Sequence, residues 1–206
     1  MSLLQFFQAR TINELVKLCQ RLVLLTVFSF SLTSHAIIIR HDKPDREYQY
    51  LAKHYSASVA YLDRCVATVL SKHWLITASH CVEVKSQYPL QISHLENKFP
   101  VEEIILHPNA AEFDDLDIAL LRVKWPLENA NPIGIYEQSD ELGKQVVFVG
   151  KGKTGNGLTG DKIRDKIERA ATNTVSKVET YWLNFSFNTP DTATELEGVS
   201  GIEDSG

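Results

Sequence analysis

The chain has 206 residues, 44% of them hydrophobic and 23% charged, with a formal net charge of −5 at pH 7. That length and balance allow one large all-β domain or two smaller ones with a buried core, and they exclude wholesale disorder. No basic patch marks a nucleic-acid partner, and there is no glycine-rich phosphate loop, no zinc-type Cys/His spacing and no internal repeat.

The first 36 residues read as an export signal. Arg10, Lys17 and Arg21 form a positive leading region, Leu22 to Phe30 is an apolar run of signal length, and Ser34-His35-Ala36 supplies small residues for cleavage after Ala36. The rival reading is a membrane anchor, because Ile37-Ile38-Ile39 extends the apolar run toward the minimum for a span. Cleavage places the mature chain outside the cytoplasm, secreted or periplasmic, with no stable membrane association. Losing Arg10, Lys17, Arg21 and Glu14 takes the net charge from −5 to −7. Cys19 is also lost, which leaves Cys65 and Cys81, an even pair in an exported chain and so one disulfide.

Ile37 to Tyr50 starts apolar and turns charged. Ser56 to Leu62 reads as a strand. Cys65 to Cys81 (CVATVLSKHWLITASHC) reads as a hairpin: β-branched Val66 to Leu70, a polar break at Ser71-Lys72-His73, then apolar Trp74 to Ala78. His80 stands at its end, and the hairpin alone fits a structural staple as well as a catalytic platform. Pro89 to Leu95 and Phe99 to Leu106 are further strands, the second stopped by His107-Pro108. The polar run 109–115 leads to a strand over Leu116 to Val123. Trp125-Pro126 begins a surface crossing to Ile135, which divides the mature chain into 37–125 and 126–206. Then come a strand at Lys144 to Val149, a loop from Gly150 to Gly160, a helical period over Asp161 to Arg169, strands at Ala170 to Val178 and Tyr181 to Phe187, and a turn-rich tail. Many short strands between turn signals predict an all-β barrel or sandwich.

Three stretches carry chemistry together: Thr77-Ala78-Ser79-His80-Cys81, Asp117-Ile118-Ala119-Leu120-Leu121 and Asp204-Ser205-Gly206. A serine hydroxyl needs a histidine to take its proton, and that histidine needs a carboxylate to fix its tautomer. His80, Asp117 and Ser205 are that set. The seven histidines show no metal-ligand spacing, so no metal is expected.

On these motifs, with Gly150-Lys-Gly-Lys-Thr-Gly155 and Glu197-Gly-Val-Ser-Gly201, the mature chain resembles the trypsin/chymotrypsin-like serine proteases. The resemblance implies two antiparallel β-barrels with the site in the cleft between them, and a monomeric secreted endopeptidase acting on polypeptide substrates through an acyl-enzyme, with no cofactor. It implies His80 as general base, Asp117 as its orienter and Ser205 as nucleophile. The N–H groups of Glu203 and Ser205 would form the oxyanion hole, although the family has glycine at the position of Glu203. Val199 falls at the base of the primary specificity pocket and offers no anion for Arg or Lys, which implies an apolar or small preference. Asp204 is the partner for an amine freed at Ile37. The family's pattern continues beyond Gly206, so the second barrel is expected to be incomplete, as in a truncated protease; the alternative function is an impaired homologue that acts as a binding module.

Overall fold

The computed structural model describes residues 37–83, 90–110 and 116–206. The expected export signal, residues 1–36, lies outside the described residues.

The N-terminal half closes into a six-stranded antiparallel barrel. Its strands are β2 (Val59–Tyr61), β3 (Val66–Val69), β4 (Trp74–Thr77), β5 (Gln91–His94), β6 (Asn97–Leu106) and β7 (Ala119–Val123), in the order β2-β3-β4-β7-β6-β5, and pairing of Tyr61 with Ser93 completes the ring. Closure leaves no open edge in this half. Alternate residues point inward, so Ala60, Ala67, Val69, Leu75, Ile92, Leu121 and Val123 form one dry core that Leu127 seals. The break after β3 is a tight turn in which the Ser71 hydroxyl accepts the N–H groups of His73 and Trp74.

Strand β1 (Ile37–Ile39) lies among strands of the other half. It runs parallel to β9 (Thr154–Asn156) and antiparallel to β13 (Gly198–Val199), with β10 (Gly160–Ile163) outside β9. A second sheet sets β11 (Arg169–Val178) between β8 (Gln145–Gly150) and β12 (Leu183–Phe185). Helix α1 (Asp45–Ala52) packs on β11, burying Tyr48 and Ala52 one turn apart. Fully buried Arg169 pins it there, with Nε 2.5 Å and Nη2 2.9 Å from the two Asp45 carboxylate oxygens.

The all-β expectation holds, with local differences. The helix falls at Asp45–Ala52 rather than within 161–169, where β10 is followed by irregular chain. Lys166 has a φ of +62°, and Arg164, Glu168 and Arg169 reach distant partners, so tertiary ion pairs override the local helical period. The glycine-rich 150–160 stretch, expected as a loop, supplies β9.

Candidate functional site

The pairing register places the first two candidate side chains. Thr77 at the end of β4 faces Ala119 at the start of β7. His80 lies just past one strand end and Asp117 just before the other, so antiparallel geometry brings them to the same rim. A single turn, α2 (His80–Glu83), follows β4 and carries the imidazole. The Cys65–Cys81 disulfide forms, with Cα atoms 6.1 Å apart, and ties that turn to the start of β3.

Three donors converge on the Asp117 carboxylate. His80 Nδ1 lies 2.5 Å from Oδ2, while Oδ1 accepts the His80 main-chain N–H at 2.9 Å and the Ser79 hydroxyl at 2.6 Å. Burial alone would push the Asp117 carboxyl up, but these hydrogen bonds outweigh it and hold it below the usual carboxylate range. The Asp117 side chain retains 33% exposure, and that of His80 retains 54%. Ser79, which in the sequence is only one residue of the Thr77–Cys81 stretch, is the donor that sequence reasoning missed. Its sole signal was a hydroxyl next to the histidine.

Ser205 comes to the same place along a different route. Its main chain bridges Cys65, and its carbonyl accepts the Val66 N–H at 2.8 Å and lies 3.7 Å from Cys81 Sγ. His80 Nε2 lies 3.6 Å from that same sulfur. The disulfide is therefore the common neighbour of His80 and Ser205, although the Ser205 hydroxyl makes no hydrogen bond to His80 among the described residues. Gly206 explains how the turn fits: a Cβ there would sit 1.7 Å from the Val66 carbonyl oxygen, so only glycine can follow Ser205 so close to β3. The His80 nitrogens and the two cysteine sulfurs cluster closely, but both sulfurs are committed to the disulfide and offer no thiolate to a metal.

Glu203 adopts a left-handed φ of +74°, and its carboxylate turns toward Arg164. Val199 pairs with Ile38 across β13 and β1. Ser200, next to it, lines a cavity of about 390 Å³ that is also bounded by Ile37, Val66, Asp204 and Gly206. Asp204 is 9% exposed, and its carboxylate accepts the N–H groups of Gly152 at 2.6 Å and Gly201 at 3.0 Å. Burial pushes this carboxyl up to about 6 against the pull of those donors. Its folded-state value lies above the ordinary 3.8, so the folded protein holds the proton more tightly between about pH 4 and pH 6. Stability is then expected to fall as pH rises through that window, by on the order of 2–3 kcal/mol from this group. Urea unfolding at several pH values should show the fall in the uncleaved chain and its loss in Asp204→Asn; an identical profile in the variant would contradict the assignment.

A closed six-stranded barrel with a histidine–aspartate pair on its rim, a disulfide behind the histidine and a Ser-Gly turn against that disulfide defines a chymotrypsin-type serine-protease scaffold. The family model described as Trypsin matches residues 41–187, and the chain belongs to the trypsin family. The matched stretch contains His80 and Asp117 and ends before the Ser205 turn. The chain is similar to "Snake venom serine protease KN1" of Trimeresurus stejnegeri, 25% identical over 127 residues, covering 58% of this chain and 48% of that protein. It thus spans about half the length of that curated relative. Among the described residues, no helix is long and apolar enough to cross a membrane.

Proposed function

We propose that this chain carries the catalytic centre of a secreted serine endopeptidase. The observation that supports it most is the Asp117 carboxylate joined at once to His80 Nδ1, the His80 N–H and the Ser79 hydroxyl. With Nδ1 engaged, Nε2 is the nitrogen left to act as base, and it lies 3.6 Å from the Cys81 sulfur against which the Ser205 carbonyl also rests. In the reaction, Ser205 Oγ attacks the scissile carbonyl while its proton passes to His80 Nε2. Asp117 stabilises the imidazolium, and the proton is then delivered to the leaving amine. Water repeats the sequence in reverse roles to release the acyl group. The N–H groups of Glu203 and Ser205 face the developing oxyanion. The substrates are polypeptides, and Val199 favours apolar or small side chains over Arg and Lys.

Signal cleavage after Ala36 frees an amine at Ile37, which shares a cavity with Asp204. An ammonium there favours the Asp204 carboxylate and reverses the upward shift that burial imposes. N-terminal sequencing of the exported protein that found a start other than Ile37 would count against this step.

A fluorophosphonate probe tests the centre directly. Ser205 Oγ bonds phosphorus as fluoride leaves, and the hydroxyl proton goes to His80. Folded protein should label, and Ser205→Ala should abolish labelling. Folded protein that stays unlabelled supports instead a non-catalytic homologue.

A further inference from the structure

Beside the nucleophile turn lies a charged cleft of about 980 Å³, bounded by Asp63, Arg64, Cys65, Lys151, Arg164 and Glu203 among others. Arg164 leaves the end of β10 and spans it. Its Nη2 donates to the Asp63 carbonyl and lies 3.6 Å from Asp63 Oδ1, while Nε is 2.7 Å from Glu203 Oε2. This last contact is one of charge with charge, since Oε2 is buried and accepts no aligned N–H. The Glu203 side chain is only 13% exposed, a degree of burial that a carboxylate tolerates poorly without a cation. Glu203 also has a φ of +74°, a conformation that glycine takes freely and other residues hold only when their surroundings impose it.

We propose that Arg164 is a positioning residue for the nucleophile turn, holding the Glu203 carboxylate in the cleft so that the main chain at 203 stays left-handed and its N–H faces the oxyanion site. The proposal rests on the serine-hydrolase reading above. The same guanidinium neutralises a charge that would otherwise oppose a developing oxyanion. Asp63 lies two residues before Cys65, and Glu203 two before Ser205. One side chain therefore ties together both segments that meet in the Cys65–Ser205 bridge.

The test compares five proteins: unsubstituted, Arg164→Ala, Arg164→Lys, Glu203→Gly and the double variant Arg164→Ala/Glu203→Gly. Fluorophosphonate labelling rates are measured in each, with amide hydrogen exchange of residues 63–66 and 201–206. Arg164→Ala is expected to slow labelling by about 10- to 100-fold. Glu203→Gly sets its own rate, and the double variant should stay within about twofold of it, because no carboxylate remains to be held. Arg164→Lys should restore only part of the rate, since an ammonium cannot bridge both partners as a guanidinium does. Exchange in the two segments should quicken about tenfold in Arg164→Ala and not in the double variant relative to Glu203→Gly. Labelling and exchange in Arg164→Ala that match the unsubstituted protein overturn the proposal. So does equal slowing with and without Glu203, which would show Arg164 acting on the fold alone. If the unsubstituted protein does not label but exchange follows the coupled pattern, the clamp stands and the hydrolase reading falls. Uncoupled exchange removes the clamp whatever the labelling shows.

Discussion

Asp117→Asn is expected to lower the fluorophosphonate labelling rate of Ser205 by about 10⁴-fold with little loss of stability. The two carboxylate oxygens have separate tasks. Oδ1 accepts from the Ser79 hydroxyl and the His80 main-chain N–H, whereas Oδ2 faces His80 Nδ1. An asparagine keeps its carbonyl oxygen on the two donors and so turns its NH₂ toward Nδ1. Nδ1 must then accept, the ring proton moves to Nε2, and the nitrogen that should take the serine proton already carries one. The substitution preserves shape and all three contacts, with only the direction reversed at Nδ1, so the loss is one of tautomer and not of fold. Ser79→Ala serves as the graded companion: it removes one donor from a charged acceptor, worth about 1.5–3 kcal/mol, and should slow labelling about tenfold without imposing a tautomer. Equal effects of the two substitutions would mean that Asp117 acts through general polarity and not through the proton position on His80.

This site was legible in the sequence to the extent that local pattern determines it. The barrel strands stand out because β-branched and apolar residues alternate in short runs between turns, and the β3–β4 hairpin shows both its strands and its polar break. Asp117 could be found because its position before an apolar strand coincided with a histidine closing another. What escaped depends on side chains that meet from far apart. The 161–169 stretch keeps a helical period in sequence, yet Arg164 is drawn to Asp63 and Glu203, and Arg169 to Asp45. Helix α1 did have a local signal, with Pro44 at its cap and Asp45 and Glu47 in its first turn, but its eight residues are too few to show a sustained period. The β5–β6 hairpin turns on Leu95 and Glu96, both at positive φ, with none of the Asn or Gly that marks such a turn. Pairing of His94 with Asn97 leaves a two-residue turn that requires positive φ at both positions, and a cost of roughly 1–2 kcal/mol for each residue is met by the strand pairing on either side. The Glu203 conformation is of the same kind: only the ion pair across the cleft makes it intelligible.

Replacing both Cys65 and Cys81 by alanine is expected to lower stability by about 3 kcal/mol and to slow labelling further than the stability loss alone explains. The bridged residues are separated by 16 positions, and closing a loop of that length in the unfolded chain accounts for the stability effect in the chain-entropy view. The urea midpoint should fall, and the slope should rise as the unfolded chain loses its cross-link and exposes more surface. The functional effect has a separate origin. Within β3 and β4 the hairpin is already paired, Thr68 with Ile76 and Val69 with Leu75, and the barrel is closed around it. Past Thr77, however, the chain leaves the sheet, and the single turn bearing His80 is held by the disulfide on one side and by Asp117 on the other. The Ser205 carbonyl rests against the same bridge and takes the N–H of Val66. Removing the sulfurs thus loosens base and nucleophile independently, and productive approach needs both in place at once. Labelling at a urea-free pH near 7 should therefore fall in the alanine pair even where circular dichroism shows the barrel fully folded. Unchanged labelling in a folded alanine pair would mean that the Asp117 hydrogen bonds alone hold His80, and that the disulfide acts only on the unfolded chain.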